Sequence, residues 1–220
     1  MNNKSIGFFD SGIGGITILN SIIKLLPNEN TIYLADSINS PYGRKSNEEL
    51  IKICKKNVEF LINSGCKLIV IACNTATTNS ISYLRQNYKI PFIGIEPAIK
   101  PAALNTKTGK IGVLATKGTL GSNLFEKTST LHGQNIEIIE KQVNGLVELI
   151  EKGIFSGSKI DILLEKYITP MINIGIDKLV LGCTHYPLVI NSIEKITKKT
   201  IEILECSHPV ALQTKKILCS

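Results

Sequence analysis

The hydrophobic positions of this chain follow two alternating patterns along its length. Short apolar runs predict strands at Ile6–Phe9, Thr31–Leu34, Leu68–Ala72, Pro91–Ile95, Ile111–Ala115, Ile136–Glu140, Lys178–Leu181 and Ile201–Leu204. Apolar positions at helical spacing predict helices at Gly15–Leu26, Asn47–Asn63, Thr75–Gln86, Gly121–Thr130, Val143–Lys152, Lys159–Ile174, Leu188–Ile196 and Pro209–Leu218. Strands that alternate with helices in this way predict an α/β fold, in which parallel sheets carry helices on both faces.

Two stretches of the first half of the chain have counterparts in the second half. Ile6–Gly12 is similar to Ile111–Gly118, and Lys67–Cys73 is similar to Lys178–Cys183. Two matches in the same order indicate two similar doubly wound halves. We expect a pseudo-twofold axis to relate these halves, with an active site in the cleft between them.

The length of 220 residues leaves room for two domains of about 100 residues, each with its own core. We place the boundary near Pro97–Pro101 and expect the C-terminal helix to return to the first half. The predicted domains are residues 1–97 with 206–220, and residues 98–205.

The net charge of +7 does not indicate a nucleic-acid partner. The lysines are scattered among acidic residues, only Arg44 and Arg85 are arginines, and no basic stripe with aromatic residues occurs. No apolar run approaches the roughly 20 residues that cross a bilayer, and the N-terminus does not have the pattern of a secretion signal. We therefore expect a cytoplasmic protein with reduced cysteines and with no nucleic-acid or membrane partner.

Two cysteines stand at the ends of predicted strands. Cys73 and Cys183 each follow a β-branched apolar run and precede small polar residues. Open α/β sheets bind their ligands at the carboxyl ends of strands, and the start of a following helix favours a thiolate. Two matching thiols predict a site that removes a proton from one face of a carbon and delivers one to the other. Asp10 and His185 are candidate proton-exchange partners of Cys73 and Cys183, respectively.

Two loops are candidate sites for a small polar ligand. Asp10 and Ser11 lead into Gly12–Gly15, which opens a predicted helix and could present free backbone N–H groups to a carboxylate or phosphate. The spacing of these glycines fits neither a Walker loop nor a dinucleotide fingerprint. Pro41–Arg44 predicts a Pro-initiated turn, and as a binding rim it would supply backbone N–H groups and a tyrosine.

A zinc site is the alternative role for some of these side chains. Cys183 with His185 and Cys206 with His208 could supply a Cys₂His₂ set. One intervening residue in each pair is fewer than structural zinc sites use, so we expect no metal.

Several motifs together resemble those of the glutamate racemases, in the Asp/Glu racemase superfamily. They are Asp10–Gly15, Pro41–Gly43, Ala72–Ala76, Ile95–Pro97 and Leu181–Leu188, in family order and at family spacing. The resemblance runs from Ile6 to about Val189. Members that act on aspartate or hydantoins tend to have Glu at the position of His185, so His185 favours glutamate.

The resemblance implies a racemase that interconverts L- and D-glutamate for peptidoglycan synthesis, as a homodimer and without pyridoxal phosphate or another cofactor. Cys73 and Cys183 would be the two acid/bases, assisted by Asp10 and His185, and Glu151 aligns with a family glutamate. The implied substrate-binding residues are Asp10, Ser11, Pro41, Tyr42, Gly43, Cys73, Asn74, Thr75, Cys183, Thr184 and His185.

The chain departs from the family pattern at three places. Glu148 stands where the family often has Pro, which puts a second carboxylate on nearly the same helix face as Glu151. Leu204–His208 replaces an Asp-Ser-Gly-like stretch, so we expect the closure of the C-terminal helix to differ. The N-terminal extension is almost absent, so we expect no activation by a cell-wall precursor bound there.

Three other functions compete with this interpretation. The first is racemisation of aspartate or another amino acid, and the second is non-catalytic amino-acid binding. The third is hydrolysis by a cysteine nucleophile, in which two symmetric thiols would have no role.

Overall fold

The computed structural model describes residues 4–219, which divide into two compact units. The first unit takes in the described residues up to Glu96 and those from Cys206 onward, and the second is Pro97–Glu205. Each unit contains a four-stranded parallel sheet flanked by helices, which confirms the predicted α/β fold with two similar halves. Within the described residues, no helix is long and apolar enough to cross a membrane.

The first unit is built on a sheet with the strand order β2-β1-β3-β4. Its strands are β1 (Ile6–Asp10), β2 (Thr31–Ala35), β3 (Leu68–Ile71) and β4 (Phe92–Ile93), and its helices are α1 (Ile16–Leu25), α2 (Asn47–Asn63), α3 (Asn74–Asn87) and α10 (Ser207–Leu218). Side chains alternate across a strand, so Phe8 and Val70 pack with Ile18 of α1 and Val210 of α10. The last helix therefore packs in the first unit.

The second unit repeats this plan with the strand order β6-β5-β7-β8. Its strands are β5 (Lys110–Ala115), β6 (Glu137–Gln142), β7 (Lys178–Gly182) and β8 (Glu202–Leu204), and its helices are α4 (Ile99–Asn105), α5 (Lys117–Leu120), α6 (Asn123–His132), α7 (Leu146–Glu151), α8 (Ser158–Ile174) and α9 (Ile190–Thr197). Val113 and Val180 pack with Ile99 and Phe125 on one face of this sheet. A Cβ atom at Gly112 would contact Met171 of α8 on the other face.

The internal repeat of the sequence corresponds to equivalent strands in the two sheets. β1 pairs with β3 so that Phe9 lies opposite Ile71, and β5 pairs with β7 so that Ala115 lies opposite Gly182. In each unit the first strand in chain order is flanked by the second and the third. Cys73 and Cys183 therefore both follow the third strand, at its carboxyl end.

Helix α4 is not predicted by the sequence pattern, because Pro97 and Pro101 resemble helix breakers around the expected boundary. Pro101 is the third residue of α4, in the first turn, where a backbone N–H has no partner within the helix. The helix predicted from Val143 begins later, at Leu146, because Gly145 has a φ of +87° and does not continue a helix.

The helix predicted to begin at Gly121 begins at Asn123 instead, and the short helix α5, which was not predicted, precedes it. Thr116 caps the short α5, and Ser122 caps α6 by accepting a hydrogen bond from the backbone N–H of Phe125. Gly121 lies between the two helices rather than inside either of them.

Candidate active site

In the first unit, Cys73 lies between β3 and α3. It is 6% exposed, and its carbonyl accepts the first hydrogen bond of the helix, from Thr77 N–H at 2.9 Å. Asn74 and Thr75 form the first turn of α3 and are also buried. The thiol therefore lies at the N-terminus of a 14-residue helix, whose partial positive charge favours a thiolate.

Asn74 carries a buried polar atom without a partner in the described structure. Its Nδ2 donates to the Ile95 carbonyl at 3.4 Å, whereas its Oδ1 accepts no hydrogen bond. Buried amide oxygens are nearly always bonded, so this acceptor beside Cys73 fits an N–H donor of a ligand.

Asp10 is the last residue of β1 and is completely buried. Its Oδ1 accepts the backbone N–H of Gly12 at 2.8 Å, and Ser11 between them is 4% exposed. Ala72 N–H donates to the carbonyl of Phe9 at 2.8 Å, which keeps the two strand ends side by side. Asp10 and Cys73 are therefore brought to the same end of the first sheet.

Gly15 has a packing role in the loop between β1 and α1. A Cβ atom there would lie 2.7 Å from the Tyr33 hydroxyl, 2.8 Å from Ala72 Cβ and 2.9 Å from Asp10 Cβ. The N–H groups of Ile16 and Thr17 already donate to carbonyls within the loop. The first turn of α1 therefore does not present these two N–H groups to a ligand.

The segment predicted as a Pro-initiated turn forms a 3₁₀ turn at Tyr42–Arg44. Tyr42 is 1% exposed, and its hydroxyl donates to Asp36 Oδ2 at 2.5 Å and accepts from Asn57 Nδ2 at 2.8 Å. Burial raises the pKa of Tyr42 far above its ordinary value, and the hydrogen bond to Asp36 adds to this effect. Since the hydroxyl is engaged inside the unit, Pro41–Gly43 would offer a ligand its backbone rather than the tyrosine hydroxyl.

In the second unit, Cys183 follows β7 and contacts a histidine. Its Sγ lies 3.8 Å from His185 Nδ1, and His185 Nε2 lies 2.5 Å from Glu151 Oε1 at the end of α7. A carboxylate can only accept, so Nε2 carries a proton and Nδ1 faces the thiol. Cys183, Thr184 and His185 are all less than a tenth exposed. This unit therefore contains a thiol–imidazole–carboxylate relay.

The two carboxylates of α7 have different neighbours. Glu151 contacts His185, whereas Glu148 acts electrostatically on the buried hydroxyl of Tyr186. Burial raises the pKa of Tyr186, with the charges of Cys183 and Glu148 adding to the effect. The geometry thus distinguishes two glutamates that the sequence left close to equivalent.

Two residues that hold Tyr42, Asp36 and Asn57, were not predicted from the sequence. Asp36 directly follows β2, so the rule that singled out Cys73 after β3 also applies to it. Asn57 is a polar residue between Cys54 and Val58 on the buried face of α2. A polar residue at a core position of an amphipathic helix was the available signal.

Among residues 4–219, no group of three or more His, Cys, Asp or Glu side chains is arranged to hold a metal ion.

The chain matches the family model described as Asp/Glu/Hydantoin racemase over residues 18–207. It is 39% identical over 220 residues to the glutamate racemase of Herpetosiphon aurantiacus, covering 100% of this chain and 87% of that protein. The chain belongs to the Asp/Glu/hydantoin racemase family.

Two solved structures with this fold are glutamate racemases. One is the Escherichia coli enzyme in complex with L-glutamate and the activator UDP-MurNAc-ala. Its comparison with this chain gives a TM-score of 0.90 at 30% identity and covers 98% of this chain and 82% of that chain. The other is the Francisella tularensis enzyme in complex with D-glutamate. Its comparison with this chain gives a TM-score of 0.85 at 32% identity and covers 99% of this chain and 82% of that chain.

Proposed function

We propose that this protein is a cofactor-independent glutamate racemase in which Cys73 and Cys183 transfer the Cα proton. The observation that carries the proposal is the equivalent position of the two thiols after the third strand of sheets with the same strand order. Family membership and relatives that are glutamate racemases support the choice of reaction and substrate.

The reaction begins with a thiolate on one face of glutamate and a thiol on the other. The thiolate takes the proton from Cα, and the electron pair of the broken C–H bond moves into the adjacent carboxylate. The opposite thiol then delivers its proton to Cα and becomes a thiolate. No atom is gained or lost, and proton exchange with solvent restores the starting state for the next turnover.

The main barrier is the weak acidity of a Cα proton beside a carboxylate. Fixed donors that face the developing charge lower this barrier. Thr75, Thr184 and the backbone N–H groups that follow each cysteine are suitable donors. The free acceptor Oδ1 of Asn74 suits the substrate ammonium group.

The partners of each thiol would return it to the protonation state that the next turnover needs. His185 would exchange a proton with Cys183 through Nδ1, while Glu151 stabilises the imidazolium that forms. Asp10 would serve Cys73 at the end of the first sheet. By resemblance to the family, Cys73 takes the proton from D-glutamate and Cys183 takes it from L-glutamate.

In the cell, this activity would supply D-glutamate for peptidoglycan synthesis and so support cell-wall formation and cell shape. We further propose a cytoplasmic location and a homodimer, as the family resemblance implies. Size-exclusion chromatography with light scattering measures the dimer directly, and a monomer at assay concentration would contradict it.

The activity is tested by incubating the purified protein with L-glutamate, without added cofactor, and following the loss of optical rotation. We expect racemisation to an equal mixture of the enantiomers, with much slower turnover of L-aspartate in a parallel reaction. Activity only after addition of pyridoxal phosphate or a metal would refute the mechanism. Faster turnover of aspartate would move the assignment to an aspartate racemase.

A further inference from the structure

We propose that Asp36 is a positioning residue, which fixes the Pro41–Gly43 segment for substrate binding through the Tyr42 hydroxyl. This inference rests on the proposed glutamate racemase function. It concerns a cluster that we call the Asp36 network, which consists of the buried Asp36, Tyr42 and Asn57 and the partly buried Asn39.

The Asp36 network joins three segments of the first unit. Asp36 lies at the end of β2, Tyr42 lies in the 3₁₀ turn and Asn57 lies in the middle of α2. The Tyr42 hydroxyl donates to Asp36 Oδ2 at 2.5 Å, and Asn57 Nδ2 donates to both the hydroxyl at 2.8 Å and Oδ2 at 3.3 Å. Asn39 Nδ2 donates to Asp36 Oδ1 at 2.8 Å. Both oxygens of the carboxylate are therefore engaged.

This arrangement places a buried carboxylate among neutral donors. Asp36 is 7% exposed, and its partners are a phenol and two carboxamides. Removing a carboxylate from water is costly even when it is hydrogen-bonded, so an apolar contact would hold the loop at a lower cost. The directional bonds to Tyr42 and Asn57 instead fix one orientation of the loop.

The loop between Asp36 and Tyr42 has no apolar anchor of its own. None of the side chains from Ser37 to Pro41 is buried, and Ile38 is 93% exposed. The loop is therefore held at its two ends, through Asp36, to which Asn39 also bonds, and through Tyr42.

The Asp36 network is also connected to the catalytic end of the sheet. The backbone N–H of Asp36 donates to the carbonyl of Asp10 at 2.9 Å, which extends the pairing of β1 and β2 by one residue. The 3₁₀ turn packs against α3, the helix that begins after Cys73. A change in the tilt of Tyr42 would therefore move the Pro41–Gly43 backbone relative to Cys73.

The consequence for catalysis is a specific kinetic signature. If the loop is not held in place, substrate binding has to order it. Part of the binding free energy is then used for this ordering, so the KM rises. The proton transfers use other groups, so kcat changes little. A general loss of folded protein would do the opposite, lowering the apparent kcat and leaving the KM unchanged.

The test compares Tyr42→Phe and Asp36→Asn with the unmutated protein. Tyr42→Phe keeps the buried ring and removes one oxygen. We expect each variant to raise the KM for both enantiomers about tenfold, with kcat changed less than about twofold. Because both substitutions act on the same contact between Tyr42 and Asp36, the double variant should be little worse than either single variant.

Two matched controls separate positioning from stability. Tyr88→Phe removes a hydroxyl that bonds Glu59 at the surface, and Asp177→Asn disturbs a carboxylate that holds Thr106 and the backbone of Lys107. We expect Asp177→Asn to lower the melting temperature and both controls to keep the unmutated KM.

Binding of labelled D-glutamate at equilibrium, which needs no turnover, should weaken about tenfold in Tyr42→Phe and Asp36→Asn. If Asp36→Asn does not fold, Tyr42→Phe decides the question alone. An unchanged KM in Tyr42→Phe, with normal racemisation by the unmutated protein, would overturn the role of Asp36. Failure of the unmutated protein to racemise or bind glutamate would instead overturn the proposed function together with this inference.

Discussion

The two units place a thiol at the same point of the same strand order but surround it differently. Cys73 directly precedes the 14-residue α3, and the strand end beside it carries Asp10. Cys183 is followed by the 3₁₀ turn Tyr186–Val189 and contacts His185, which contacts Glu151. The position equivalent to Asp10 in the second unit is Ala115, which offers no carboxylate.

The comparison shows that the fold sets the position of a thiol, whereas local residues set how the thiol exchanges protons. In the first unit, a helix N-terminus favours the thiolate. In the second unit, we expect an imidazole held by a carboxylate to accept or donate the proton. We therefore expect the proposed reaction, which is symmetric in its substrates, to use two thiols in chemically different surroundings.

The largest expected effect comes from removing either thiol. Cys73→Ser and Cys183→Ser should each lower the rate of glutamate racemisation about a thousandfold, because a serine hydroxyl is too weak an acid to replace the thiol. Polarimetry of both variants measures this directly. A variant that keeps more than about a tenth of the activity would show that one thiol is sufficient.

The relay of the second unit should contribute the next largest effect. Glu151→Gln keeps a hydrogen-bond acceptor for His185 but removes the charge that stabilises its imidazolium, so kcat/KM should fall at least about tenfold. Because the two enantiomers are equally stable, kcat/KM must fall equally in both directions. Glu148→Gln is the matched control and should lose less. A greater loss in Glu148→Gln would transfer the carboxylate role to Glu148.

Two glycines, Gly15 of the first unit and Gly121 of the second, should differ in their tolerance of a side chain. Gly15→Ala places a Cβ atom within 3 Å of Tyr33, Ala72 and Asp10, so it should lower the free energy of unfolding by about 1–3 kcal/mol. Gly121→Ala meets only the Lys117 carbonyl, at 3.3 Å, and should cost less. Urea denaturation of both variants measures the difference. Equal losses would mean that Gly15 has no special packing role.

The smallest effect concerns stability at high pH and the thiol of Cys54, which is buried in α2 of the first unit. Burial raises its pKa from 9.0 to about 12. As the pH rises, the unfolded chain therefore releases this proton at a lower pH than the folded protein does. The part of the free energy of unfolding that the Cys54 thiol contributes below pH 9.0 is lost as the pH rises towards 12.

Cys54→Ala should reduce the loss of unfolding free energy between about pH 8 and about pH 10, measured by urea denaturation. Cys219→Ala, at an exposed position, should leave that loss unchanged. The same loss in Cys54→Ala and in the unmutated protein would contradict this role of the thiol.

The sheets were predictable because their strands are continuous apolar runs whose ends carry recognisable residues. Leu68–Ile71 and Lys178–Gly182 are buried throughout, and the residues after them include both cysteines. Strand periodicity alone therefore located the candidate thiols. The contact of His185 with Cys183 was also expected, because only one residue separates them.

The parts that were not predictable depend on contacts between distant segments. Asp36 and Asn57 are 21 residues apart, and nothing local indicates that they meet around Tyr42. The buried side chain of Tyr42 was missed because Pro41 and Gly43 on either side are typical of an exposed turn. Glu151 and Glu148 differ only in their tertiary neighbours, which no spacing rule separates.

The central claim is that two bases act on opposite faces of Cα, with a different thiol for each enantiomer. Racemisation in heavy water, followed by mass spectrometry of the separated enantiomers, tests it most directly. The account predicts early deuterium at Cα of the product and almost none in the recovered substrate, because the delivering thiol carries solvent deuterium. It also predicts slow exchange of L-glutamate in Cys73→Ser and of D-glutamate in Cys183→Ser. Equal early labelling of substrate and product by the unmutated protein would show a single base and contradict the account.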